Sequence, residues 1–169
     1  MDRCDECGFD YAGVSIDELP SLLRTLGGRY AAVLAEVRQV RRRPADGVWS
    51  PLEYACHVRD VLSVQAERLA LALRVEEPEF APMGRDERAV AEAYNEQDPA
   101  TVLAALGAAA DDLAARIGVL GPVELARTGV YPWPRPQART LLWLGRHTLH
   151  EGEHHLLDIR RAAGSEAAS

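Results

Sequence analysis

Apolar residues recur at three- and four-residue steps along most of this chain. Beginning near Ser15, the series Leu19, Leu22, Leu23, Leu26, Tyr30, Val33, Leu34 and Val37 forms one stripe, which predicts an amphipathic helix. Pro20 suits its first turn, where a missing N–H is harmless. Gly27-Gly28 weakens its middle, and Arg41-Arg42-Arg43-Pro44 closes it. A second helix opens at Ser50-Pro51-Leu52-Glu53, with a capping serine, proline in the first helical position and a glutamate placed to complete a capping box. It continues through Tyr54, His57, Val61, Val64, Leu69 and Leu73. Residues 74–97, with Pro78, Pro82 and Gly84, read as a long connection holding a short helix near 86–94, serving as a lid or as a solvated crossover. Asp98-Pro99 repeats the cap-then-proline start, and a third helix runs through Val102, Leu103, Leu106, Leu113 and Ile117 to Gly121. Residues 121–139 contain four prolines around Tyr131-Pro-Trp-Pro and read as an extended loop across one end of the bundle. A fourth helix starts near Thr140 and stops before Gly164.

Four such helices and no strand predict an all-α fold, a four-helix bundle. The expected organisation is a short Cys-containing N-terminal arm (1–14), the bundle (15–164) and a frayed tail (165–169). The long second connection frees the bundle from simple up-down-up-down order.

Composition narrows the function. The chain of 169 residues is 47% hydrophobic and 27% charged, which makes it globular. Its net charge of -7 argues against nucleic-acid binding, which needs a basic face. All 19 basic residues are arginine, a sign of coding bias rather than chemistry. No apolar run is long enough for a membrane span, and the acidic N-terminus has no signal-peptide core. A cytoplasmic location is therefore expected, and there the three cysteines are more often free or metal-bound than disulfide-bonded.

The five histidines carry the candidate chemistry. His57 lies on the second helix; His147, His150, His154 and His155 crowd the fourth. At about 100° per residue, His150 and His154 lie roughly 40° apart on one face, the usual way for one helix to offer two imidazoles to an ion. His57 can supply a third nitrogen from a facing helix. Three protein ligands with open positions suit a catalytic site. His147, about 60° from His150, reads as a ligand, an outer donor or a base, while His155, about 140° away, reads first as packing or surface. Glu151 and Asp158 are placed to orient imidazoles through their second nitrogens. Tyr131, Trp133 and Met83 are candidates for a pocket mouth or a simple cover, and Arg59 and Arg85 for binding an acidic cofactor.

The segment Trp49-Ser-Pro-Leu-Glu-Tyr-Ala-Cys-His57-Val-Arg-Asp60 resembles the second-helix motif of the DinB/YfiT-like family, and His147-Thr-Leu-His150-Glu-Gly-Glu-His154-His155-Leu-Leu-Asp158 resembles its fourth-helix motif. The resemblance covers about residues 15 to 163. It implies a bundle with a three-histidine site for zinc, nickel or a similar divalent ion, and a homodimer. Carried over by position, the ligands are His57, His150 and His154. The crowding on the last helix leaves His147/His150 and His150/His155 as alternative pairs. Relatives include transferases of low-molecular-weight thiols, which use bacillithiol or mycothiol, and a mycothiol-dependent isomerase. The expected function is thus a metal-dependent thiol S-transferase or hydrolase acting on a small electrophile. The alternative is a non-catalytic metal-binding or stress-response protein acting through a dimer or partner.

Cys4-Asp-Glu-Cys7-Gly8 is extra to that pattern. It reads as half of a second metal site completed by His147 and His155, as a redox pair, or as a bland arm. Cys56 reads as buried packing.

Overall fold

The structure, a computed structural model, describes residues 3–164. Four long helices form the body: α1 (Leu19–Ala35), α2 (Pro51–Arg74), α4 (Pro99–Gly118) and α6 (Leu141–Gly164). Two short helices lie in the connections, α3 (Arg85–Ala91) and α5 (Pro122–Leu125), with a 3-10 turn at Tyr94–Glu96. The tail 165–169 lies outside the described residues.

The packing order differs from the chain order. α1 and α2 each pack against both α4 and α6 while barely touching one another, so they lie across a diagonal. Leu19, Leu23, Leu26 and Tyr30 of α1, Leu52, Leu62 and Leu69 of α2, Leu106 and Leu113 of α4, and Leu144, Leu156 and Ile159 of α6 fill the centre. Gly27 is needed where α1 crosses α4, because a Cβ there would meet the Cα of Gly107 at 2.8 Å.

The local start signals act as their chemistry requires. Ser50 Oγ accepts the Glu53 N–H at 3.2 Å, and the Glu53 carboxylate accepts the Ser50 N–H at 2.8 Å. Asp98 accepts the Thr101 N–H at 2.8 Å.

Two expectations change. α1 ends at Ala35 rather than at the arginine run, because the arginines are used elsewhere. Arg41 donates to the carbonyls of Asn95 and Gln97, and Arg43 pairs with Glu53, tying residues 36–49 to the start of α2. The proline-rich stretch is not a plain loop. Thr128–Tyr131 (β1) pairs antiparallel with Gln137–Thr140 (β2), and Val130 exchanges hydrogen bonds with Pro78 and Phe80 of the long connection. That exchange gives β1 a partner on its other edge.

Candidate metal centre

The buried stripe of α6 includes Leu144, Thr148, Gly152, His155 and Ile159. His155 therefore points inward to α2, while His150 and His154 fall on the neighbouring face. His57, itself only 3% exposed, meets His155 with ring centroids 4.9 Å apart. Glu151, four residues before His155, joins them: one donor atom each from His57, Glu151 and His155 lies within 4.8 Å of the others.

This trio is oriented by its neighbours. His155 Nδ1 lies 2.9 Å from Asp158 Oδ2, which leaves Nε2 facing Glu151 at 3.7 Å. That gap is too long for a good hydrogen bond and close to the roughly 3.4 Å edge expected between nitrogen and oxygen ligands of a tetrahedral zinc ion. Tyr54 stacks on His155 at 5.3 Å, and Trp49 packs on His57 at 5.1 Å. His57 Nδ1 is buried without a hydrogen-bond partner. An unpaired buried imidazole nitrogen costs free energy unless something occupies it.

Charge follows the same geometry. Burial, reinforced by His155, pushes the His57 pKa down to about 3, so His57 is a neutral donor at any ordinary pH. Burial likewise takes His147 down to about 4. His155 goes the other way: desolvation opposes its charge, but the Asp158 and Glu151 carboxylates outweigh it and raise its pKa. Desolvation also works against Glu151, yet the surrounding imidazoles hold its carboxyl far below the usual range.

The other histidines belong to a second group. Cys4, Cys7, His150 and His154 each bring one donor atom to within 4.8 Å of the rest. His147, His150 and Glu151 form a third, overlapping set, with His147 stacked on Trp143 at 4.5 Å. The structure thus brings His57 together with Glu151 and His155, and takes His150 and His154 to the cysteines. His57, His150 and His154 are not one of the convergent groups among the described residues. The cysteines meet His150 and His154 rather than His147 and His155, because His155 is turned into the core.

A cavity of about 550 Å³ opens above the trio, lined by all five histidines together with Arg68, Met83, Arg85, Tyr131 and Trp133. Arg85 also lies over the Trp49 ring at 5.6 Å. Arg59 is held away from the cavity by Asp60 and Gln97. Sequence reasoning missed Arg68, which is buried between the Phe80 and Tyr131 rings. It also missed Tyr11, whose hydroxyl lies 2.8 Å from His147 Nδ1 and 3.0 Å from His150 Nδ1. Neither has a spacing that marks it.

Fold and site together define a four-helix bundle with clustered imidazole and carboxylate donors facing one cavity and a pair of thiols set against two of those imidazoles. The chain belongs to the DinB superfamily, whose profile matches residues 17–159. Its fold is that of YfiT from Bacillus subtilis, described as a probable metal-dependent hydrolase with an unusual four-helix bundle topology. The two share 20% identity at a TM-score of 0.81, over 92% of this chain and 91% of that one. It is also similar to a mycothiol-dependent maleylpyruvate isomerase, at 14% identity and a TM-score of 0.70, over 88% of this chain and 62% of that one. No curated protein sequence matches it. No described helix is long and apolar enough to cross a membrane.

Proposed function

We propose that this chain is a divalent-metal-dependent hydrolase of small electrophilic substrates, with His57, Glu151 and His155 as the metal ligands. The observation that carries this is the convergence of those three donors beneath the cavity, with the buried Nδ1 of His57 unpaired. Two imidazoles and one carboxylate are a donor set of catalytic zinc sites, which leave a position open. An ion held there would lower the pKa of a bound water or thiol and so supply a nucleophile near neutral pH. The protein's own part is to keep His57 neutral, fix His155 through Asp158, and screen the site with Trp49 and Tyr54.

Arg68 narrows the substrate. It is buried, lines the cavity and makes no ion pair among the described residues. A buried guanidinium of this kind favours a substrate with a carboxylate or similar anion. Thiol transfer with mycothiol or bacillithiol is the second reading. The likeness to the mycothiol-dependent isomerase favours it, and an anion-binding Arg68 serves it equally well.

The test is elemental analysis of untagged protein, followed by assays against activated esters, amides and halogenated acids with and without added thiol. The proposal expects bound divalent metal, one equivalent of which His57→Ala with His155→Ala removes, together with activity lost on chelation. Metal binding unaffected by that pair, in a folded variant, would overturn the assignment.

A further inference from the structure

The N-terminal arm folds back onto α6 and carries its own donor set. Cys4, Cys7 and Gly8 form a tight loop: the Gly8 N–H donates to the Cys4 carbonyl at 2.9 Å, and the Cys4 N–H donates to the Phe9 carbonyl at 2.9 Å. Gly8 adopts φ +74°, which closes the loop and which a side chain would strain. Both thiols are free and half-buried. Across from them on α6 stand His150 and His154, with Cys4 Sγ 3.8 Å from His154 Nδ1.

We infer that Cys4, Cys7, His150 and His154 form a closed tetrahedral site for a zinc ion that pins the arm to α6. Four donors within 4.8 Å of one another suit one ion. The 3.8 Å between Cys4 and His154 is near the roughly 3.6 Å edge between sulfur and nitrogen ligands of tetrahedral zinc. Two thiolates balance the charge of a dication, so the occupied site is neutral where it is half-buried. Soft sulfur with imidazole selects zinc over magnesium or calcium.

The outer contacts complete the case. His154 Nε2 faces Asp158 at 3.6 Å, which leaves Nδ1 to Cys4. His150 Nε2 is buried with no partner. One hydroxyl proton on Tyr11 cannot serve two imidazoles. If Tyr11 donates to His147, then His150 Nδ1–H donates to Tyr11, and the Nε2 lone pair is free for an ion. Apart from this cluster, Phe9, Tyr11 and Val14 pack on the bundle, Arg146 donates to the Val14 carbonyl, and Glu6 makes an exposed ion pair with Arg161 at 3.3 Å. Because Tyr11 also bears on His147 at the cavity wall, the ion would fix that wall too.

The site is separable from the His57 trio by residue and by chemistry, so either assignment can fail alone. The test loads the full chain with cobalt under reducing conditions and reads the near-ultraviolet thiolate-to-cobalt band. The inference expects that band and tetrahedral visible bands in the wild type and in His57→Ala, and loss of both the band and one metal equivalent per chain in Cys4→Ser with Cys7→Ser. It also expects faster amide hydrogen exchange across residues 3–14 when the metal is chelated. A wild-type protein that binds cobalt without the thiolate band overturns the inference, whatever the variants do. So does an arm whose exchange is unchanged by chelation.

Discussion

Asp158 accepts from His155 at 2.9 Å, and this contact decides which nitrogen of His155 faces the interior. The same carboxylate lies 3.6 Å from His154 Nε2, so it braces both candidate sites. Removing such an outer partner leaves the ligands in place but lets the rings rotate. Asp158→Asn is expected to weaken divalent-metal affinity roughly 10- to 100-fold without abolishing binding. Competition with a chelator of known affinity measures it; unchanged affinity would refute the orienting role.

The metal-free protein should be acid-sensitive through His57. Its folded pKa, near 3, lies below the unfolded value of about 6.5. The unfolded chain therefore binds the proton first, and the contribution is fully present above pH of about 6.5 and lost as pH falls toward 3. His147 adds the same sign toward about 4. His155, raised by its carboxylates, has the opposite sign: it stabilises below about 6.5 and loses that effect as pH rises through its folded value. With His57 and His147 both lowered, the fall on acidification dominates, on the order of a few kcal/mol. Denaturant midpoints of chelated protein between pH of about 7 and 5 should drop, and His57→Gln should flatten that slope.

The helix starts were legible because their causes are local: Ser50 and Glu53 satisfy each other within one turn. The bundle followed from periodicity. The hairpin was not legible, since β1 depends on Pro78 and Phe80, about 50 residues away in sequence. The register of donors on α6 was left open by the sequence for a related reason. Glu151/His155 and His150/His154 are both four-residue pairs on α6, offset by one residue, or about 100°. Which pair faces α2 is set by packing. A signal was present all the same: His155 shares the buried stripe with Thr148, Gly152 and Ile159, and His150 does not.

Tyr11 offers a finer probe of the arm. Its hydroxyl bridges His147 and His150, so Tyr11→Phe removes the group that sets their tautomers. A stability loss of about 1 kcal/mol is expected from the lost hydrogen bonds. Metal affinity at the cysteine-bearing group should fall roughly 10-fold or more, while metal held through His57 stays. Titrating zinc into Tyr11→Phe and into the same variant carrying His57→Ala separates the two effects.

Gly27 and Gly28 should respond oppositely to the same substitution. Both lie within α1, where alanine is favoured over glycine by about 1 kcal/mol. Gly28 is exposed and has open space for 4 Å around the point where a methyl would stand, so Gly28→Ala should keep that gain. At Gly27 the methyl would lie 2.8 Å from the Gly107 Cα, a backbone atom that cannot rotate away. Forcing α1 from α4 costs about 1–3 kcal/mol or more, which exceeds the helix gain. Gly27→Ala should therefore lower Tm by several degrees and Gly28→Ala should raise it by about 2–4 °C. Metal content per folded chain should be unchanged in both, since neither residue touches the donors. Equal shifts in the two variants would show that propensity alone governs α1 and that its close crossing with α4 carries no weight.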